Sequence, residues 1–187
     1  MKLCGPGEWL VEKHGTQRCR AWKKLHVGVD AASGRIVVAT LTDHDVDFAS
    51  QVGPLLAQIE EPLAAFVADG AYDQIGVTEA VAAHTPDAAV IVPPRSTAVP
   101  SAHAATNPMQ RDRHLQHITE HGRMAWQTSS RYNIRALVEA AFSRWKRVVG
   151  DALRIRTEDR RNTEIAIAVR VLNRMLDLGR PDSVRVA

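Results

Sequence analysis

Two acids in this chain, Glu139 and Asp69, stand where their neighbours could turn a carboxylate to phosphate chemistry. Tyr132, Arg135, Glu139 and Lys146 are separated by intervals of three, four and seven residues. At about 100° per residue they fall within a stripe roughly 60° wide on one side of a helix. Leu137, Trp145 and Val148 lie on the opposite side, so the segment reads as amphipathic. A carboxylate flanked by Arg135, Lys146 and Arg147 can hold a divalent cation while the bases hold the phosphates of a substrate. Periodicity alone fits equally the wet face of an ordinary surface helix.

Asp69 follows a short apolar run, Ala65 to Ala68, and precedes Gly70. If that run is a strand, the carboxylate projects from its carboxyl end, where α/β proteins commonly build their sites. A turn acid before glycine is the plainer alternative. Lys13, His14, Arg18, Arg20, Lys23 and Lys24 form a basic run with Trp9 and Trp22 nearby, and Arg154, Arg156, Arg160 and Arg161 form a second. Such patches make sequence-independent, salt-dependent phosphate contacts, or they are solvated charged faces. Asp30, beside Ala, Ser and Gly, reads as a turn former, and the group Asp43, Asp45 and Asp47 as caps for the helix that follows. His114, His117 and His121 would share a helix face, but no cysteine is near and they read as a weak zinc candidate. Cys4, His14, Cys19 and His26 have no zinc-site spacing.

The elements that must position these residues are legible from pattern. Leu25 to Val29 and Arg35 to Leu41 are β-branched-rich runs joined by a short polar turn, a hairpin. Asp47 precedes an apolar-periodic stretch through Ile59 that Pro62 stops. Ala65 to Ala68 and Ala88 to Val92 read as buried strands with a helix between them near Val77 to His84, and Pro93 and Pro94 end the second strand. From Arg95 to about Ser130 the pattern is polar and irregular, an exposed loop or partly helical insertion. Two helices are expected at the end, about Asn133 to Val149 and about Glu158 to Leu178, with Gly179 and Pro181 closing the second.

The chain has 187 residues, 45% hydrophobic and 24% charged. That length and balance suit one globular domain, expected over 1–181, with 182–187 as a tail. A formal charge of +3 with clustered Arg and Lys favours a polyanionic partner. No run reaches the roughly 18 to 20 apolar residues of a membrane helix, and Met1 to Gly7 does not read as a signal peptide. Two cysteines, Cys4 and Cys19, suit a reducing compartment, and the expected location is the cytoplasm.

The interval pattern Tyr132-x2-Arg135-x3-Glu139-x6-Lys146 resembles the YREK signature of DDE-type bacterial insertion-sequence transposases. Further pieces agree with that family: Gly7-Glu8-Trp9 and the basic run to Trp22-Lys23-Lys24-Leu25-His26, then Asp69-Gly70-Ala71-Tyr72-Asp73, then Pro93-Pro94-Arg95. The resemblance covers about Gly5 to Gly179. It implies an α/β fold, a ribonuclease-H-like mixed sheet flanked by helices. It implies that Asp69 and Glu139 are the second and third catalytic acids and grip the same divalent ions, a Mg²⁺ (or Mn²⁺) pair. Tyr132, Arg135, Lys146, Arg147, Arg144, Lys23 and Lys24 would contact DNA. The implied activity is cleavage at transposon ends and transfer of the freed 3′-hydroxyl to target DNA, with a possible homodimer on DNA.

In the family the first catalytic aspartate lies on the opening strand, just before the stretch that leads to Gly7-Glu8-Trp9, and Met1 begins at about that point. The expectation is therefore an N-terminally truncated core whose first central strand is missing or incomplete and which is inactive as given. The alternative is a non-catalytic DNA-binding remnant or regulator of transposition. Asp30 is a poor substitute for the missing acid, because its surroundings already explain it as a turn residue.

Overall fold

A computed structural model describes residues 1–4, 22–155 and 157–179. Gly7-Glu8-Trp9, the run Lys13 to Arg20, Cys19, Arg156, Pro181 and the expected tail lie outside the described residues. The chain divides into two compact units, the first bounded by Met1–Val46 and Leu137–Ala187, the second by Asp47–Ala136.

In the first unit, strands β1 (Lys2–Cys4), β2 (Trp22–Val29) and β3 (Ile36–Asp43) form an antiparallel sheet in that order. The register sets Leu3 opposite Lys23, Leu25 opposite Leu41 and Val27 opposite Ala39. The β2–β3 turn is built by Asp30. Its carboxylate accepts from the amides of Ala32 at 3.3 Å and Ser33 at 2.8 Å and from the Ser33 hydroxyl, while Gly34 supplies φ +71°. The Ser33 hydroxyl and these amides hold the Asp30 carboxyl below its ordinary range.

Two helices complete this unit, α5 (Ala136–Val148) and α6 (Glu158–Asp177). Leu3, Leu25, Ile36, Trp145, Ile165 and Leu172 anchor the first unit's core. Asn173 on α6 caps the outer edge of β3. Its Oδ1 accepts from the Ile36 amide at 2.9 Å and its Nδ2 donates to the Ile36 carbonyl at 2.8 Å, both buried. A single side-chain amide thus satisfies the start of an edge strand that burial would otherwise orphan. Beside it Arg35 pairs with Asp177. β1 pairs with β2 along all three of its residues, with Leu3 buried.

The second unit begins with a 3₁₀ turn (Ala49–Gln51) running into α1 (Val52–Leu56). The Asp47 carboxylate accepts from the amides of Ala49 at 2.9 Å and Ser50 at 3.3 Å, the capping expected of it. Asp43 does something else and pairs with Lys23. Strand β4 (Ala65–Val67) is followed by a 3₁₀ turn (Gly70–Tyr72), α2 (Ile75–His84) and β5 (Ala89–Ile91). β4 and β5 pair in parallel, with Phe66 opposite Val90, joined by the crossover helix that parallel pairing demands. Val52, Leu56, Val77, Val81, Val90 and Val92 form this unit's core. The polar segment after Arg95 carries α3 (Gln110–His121) and α4 (Arg123–Ser129), then a 3₁₀ turn (Tyr132–Arg135). Antiparallel strands in one unit and a parallel pair in the other give the mixed α/β fold expected.

His26 makes the first unit sensitive to acid. The residue is 4% exposed, and burial first, then the positive charges of the Met1 ammonium and Lys24, lower its pKa to about 4. In the unfolded chain the imidazole titrates near 6.5, so between about 6.5 and about 4 the unfolded state binds more protons. Stability is therefore expected to fall as pH drops through that window. Asp43 and Glu158 act in the same direction. Their hydrogen bonds from Lys23 lower both carboxyls, and that stabilisation is lost as pH falls through their folded values. Thermal melts between pH 7 and pH 4 check this. A His26→Gln variant should lose stability less steeply from pH 6.5 downwards, and an unchanged slope would remove His26 as the cause.

Candidate functional site

Asp69 leaves the carboxyl end of β4 in extended conformation, and its Oδ1 accepts from the Ala71 amide at 2.9 Å. The side chain is exposed, so its second oxygen can meet a ligand from solvent. The bond to Ala71 is the turn role weighed for this residue, and it orients the carboxylate rather than consuming it. Gly70 packs closely, since a Cβ there would stand 3.3 Å from the Pro93 carbonyl oxygen, a tight contact. Tyr72 turns inward, its ring 6.5 Å from Phe48 and 6.3 Å from Phe66. Burial and the nearby charges of Asp69 and Asp47 push its hydroxyl up to about 12, so it stays protonated at neutral pH.

Asp73 closes this turn. Its side chain is 5% exposed and accepts from Arg111 Nε at 2.7 Å, Arg111 Nη2 at 3.3 Å and the Arg95 amide at 2.9 Å. Burial pushes the carboxyl up, but the Arg111 and Arg95 hydrogen bonds outweigh it and leave it below the ordinary range. Asp73 stands inside the quoted Asp69–Asp73 stretch, yet sequence assigned it no task, because its partner lies 38 residues on in the polar segment. Asp73→Asn should cost about 2 kcal/mol, the scale of hydrogen bonds to a charged group. Urea denaturation measures it, and a change under about 0.5 kcal/mol, typical of ordinary surface substitutions, would make the clamp incidental.

Tyr132 and Arg135 belong to the same unit as Asp69. They occupy a 3₁₀ turn, not the first turn of α5, and that turn packs against β4. The sequence reading ran the helix back to Asn133 at 100° per residue. The observed backbone enters through Arg131 at φ +57° and takes the tighter 3₁₀ turn over Tyr132–Arg135 before α5 begins at Ala136. Trp126, 1% exposed, lies with its ring 5.4 Å from Tyr132 and 5.4 Å from His114, and the Arg135 guanidinium sits over the Tyr132 ring at 5.9 Å. His114 is thus a stacking residue beside a buried indole, and burial lowers its pKa. His117 and His121 lie against each other on α3, ring centroids 4.7 Å apart.

Glu139 and Lys146 are exposed on α5 in the other unit, as is Arg147. The apolar side of α5 buries Ala141 and Trp145, while Val148, expected on that side, is 43% exposed. Arg144 donates from Nη2 to the Gly34 carbonyl at 3.2 Å. Lys24 donates to the Val46 carbonyl at 2.7 Å. Lys23 is 8% exposed and donates to Asp43 at 2.6 Å and to Glu158. Phosphate at Lys23 would have to compete with two carboxylates already on the ammonium. Among the described residues no three His, Cys, Asp or Glu side chains gather as a ligand set.

An acid at the carboxyl end of a parallel strand pair, beside a buttressed Tyr–Arg turn, is an α/β arrangement suited to phosphate chemistry. Over residues 1–174 the chain matches the family described as the transposase DDE domain, and it belongs to that family. No solved structure matches the chain. Members of this family act on DNA and generally use divalent metal ions, and no helix among the described residues is long and apolar enough to cross a membrane.

Proposed function

We propose that this chain is the catalytic core of an insertion-sequence transposase, spanning 1–181 and acting in the cytoplasm on transposon-end and target DNA, with a homodimer as the working form on DNA. The observation that carries the reading is the exposed Asp69 carboxylate at the end of β4 in a chain that belongs to the DDE family. Asp69 and Glu139 are the proposed ligands of Mg²⁺ or Mn²⁺. Carboxylate oxygens suit these hard cations, which keep several waters and need few protein ligands. When bound, a pair of such ions supplies activation of the attacking oxygen and stabilisation of the leaving one in phosphodiester cleavage and strand transfer.

The chain's own residues do the binding and orienting. Tyr132, Arg135, Lys146, Arg147 and Arg144 take the DNA backbone, with Lys24 as a further contact. Trp126 holds the Tyr132 ring, and the Tyr132 ring seats the Arg135 guanidinium. Phosphate contacts of this kind make affinity fall steeply with salt.

The test is nicking of end-containing duplex by the chain in Mg²⁺. Activity that disappears in chelator and returns with Mg²⁺ is expected. A second reading is DNA binding without cleavage by these 187 residues, supported by the exposed bases Lys146 and Arg147 on α5. Metal-dependent nicking by the 187 residues would reject that second reading, and salt-insensitive or absent DNA binding would reject both.

A further inference from the structure

β4 and β5 run in parallel, so their carboxyl ends share one edge of the pair. Asp69 leaves β4 there, and Pro93-Pro94-Arg95 leaves β5 there. The two segments are interlocked. Gly70 abuts the Pro93 carbonyl, the Asp73 carboxylate accepts the Arg95 amide at 2.9 Å, and Arg123 Nη2 donates to the Pro94 carbonyl at 3.1 Å. Arg95 therefore has a fixed backbone, while its side chain is exposed.

Charge decides what that side chain can do. Asp73 is the nearby acid whose carboxylate the Arg95 charge reaches, and Arg111 already grips both its oxygens. Arg111, which the Asp112 charge also reaches, holds both Asp73 oxygens, so the exposed Arg95 guanidinium stays available at the strand edge that also presents Asp69. A guanidinium offers a planar fork of donors that fits the non-bridging oxygens of a phosphodiester, and an already paired acid does not neutralise it.

We infer that Arg95 is a DNA-binding residue, a direct contact to a backbone phosphate next to the one presented to Asp69, with Asp73 and Arg111 as the positioning pair that fixes its backbone. The inference rests on the proposed action on DNA and adds a contact to it. It concerns nucleic-acid phosphate, not free phosphate, because the site is a single exposed fork on an open edge and needs a polyanion to hold the ligand in place.

The experiment is fluorescence anisotropy of a labelled duplex titrated with the full chain over a series of NaCl concentrations, without divalent metal. Arg95→Ala should bind about tenfold more weakly and reduce the slope of log affinity against log salt by about one, the loss of one phosphate contact. Arg95→Lys should keep the slope and recover part of the affinity, because the charge stays and the fork is lost. Melting temperatures of both variants should match the wild type, which separates a contact from a structural role. Inorganic phosphate at the same phosphate concentration should not displace the duplex. Wild-type affinity and slope in Arg95→Ala would overturn the inference while leaving the proposed function intact. Displacement by inorganic phosphate would overturn the polymer-specific contact. A wild-type chain that does not bind the duplex would take down the DNA reading itself, and this inference with it.

Discussion

Asp69→Asn and Glu139→Gln, made singly, should each lower Mg²⁺-dependent nicking of end DNA by about 10²- to 10³-fold, the scale of removing one preorganised charge-stabilising group. Both changes are isosteric and both residues are exposed, so melting temperatures should stay within a degree or two of the parent by the usual size of surface effects. DNA affinity in the absence of metal should also be unchanged or slightly higher, since each variant removes a negative charge from a surface that meets phosphate. Retained nicking in either variant ends the assignment of that acid. Loss of nicking together with loss of folding would move the residue from the chemistry to the scaffold.

Trp126→Ala should have the largest effect on stability, about 3 to 5 kcal/mol, because a buried indole leaves both its transfer energy and an unfilled cavity behind. Its consequence for function follows from what it touches. Without Trp126 the Tyr132 ring loses the surface it lies on, and Arg135 loses the fixed ring beneath its guanidinium. Trp126→Phe should restore part of the packing and most of the DNA affinity. Denaturant titrations give the stability change, and anisotropy at low temperature, where the Ala variant is still folded, gives the affinity. If Trp126→Ala weakened folding but left affinity at low temperature untouched, the stack would be core packing with no bearing on the Tyr–Arg turn.

Much of the scaffold was legible in the sequence because it rests on local rules. Asp30 beside Ser33 and Gly34 makes a turn through bonds spanning three residues. Asp47 caps within three residues, and β-branched runs ended by glycine or proline mark their own strands. The helix expected from about Asn133 begins at Ala136 for an equally local reason, since Arg131 in a left-handed conformation opens a 3₁₀ turn, Tyr132–Arg135, ahead of α5. The tasks of single charged residues were least legible. Lys23 reads as part of a basic run, yet it is a buried ammonium held by Asp43, 20 residues away, and Glu158, 135 residues away.

The sequence by itself determined the kind of many elements, their order and the family, since periodicity, turn chemistry and motif spacing act along the chain. Tertiary structure alone decided which charges are spent inside the fold and which remain at the surface. Asp73 is taken by Arg111, Lys23 by Asp43 and Glu158, and the edge of β3 by Asn173. Arg95 and Asp69 stay exposed at one strand edge. The physical reason is that an ion pair or buried hydrogen bond depends on distance in space, and chain separation carries no information about that distance until the strands have paired.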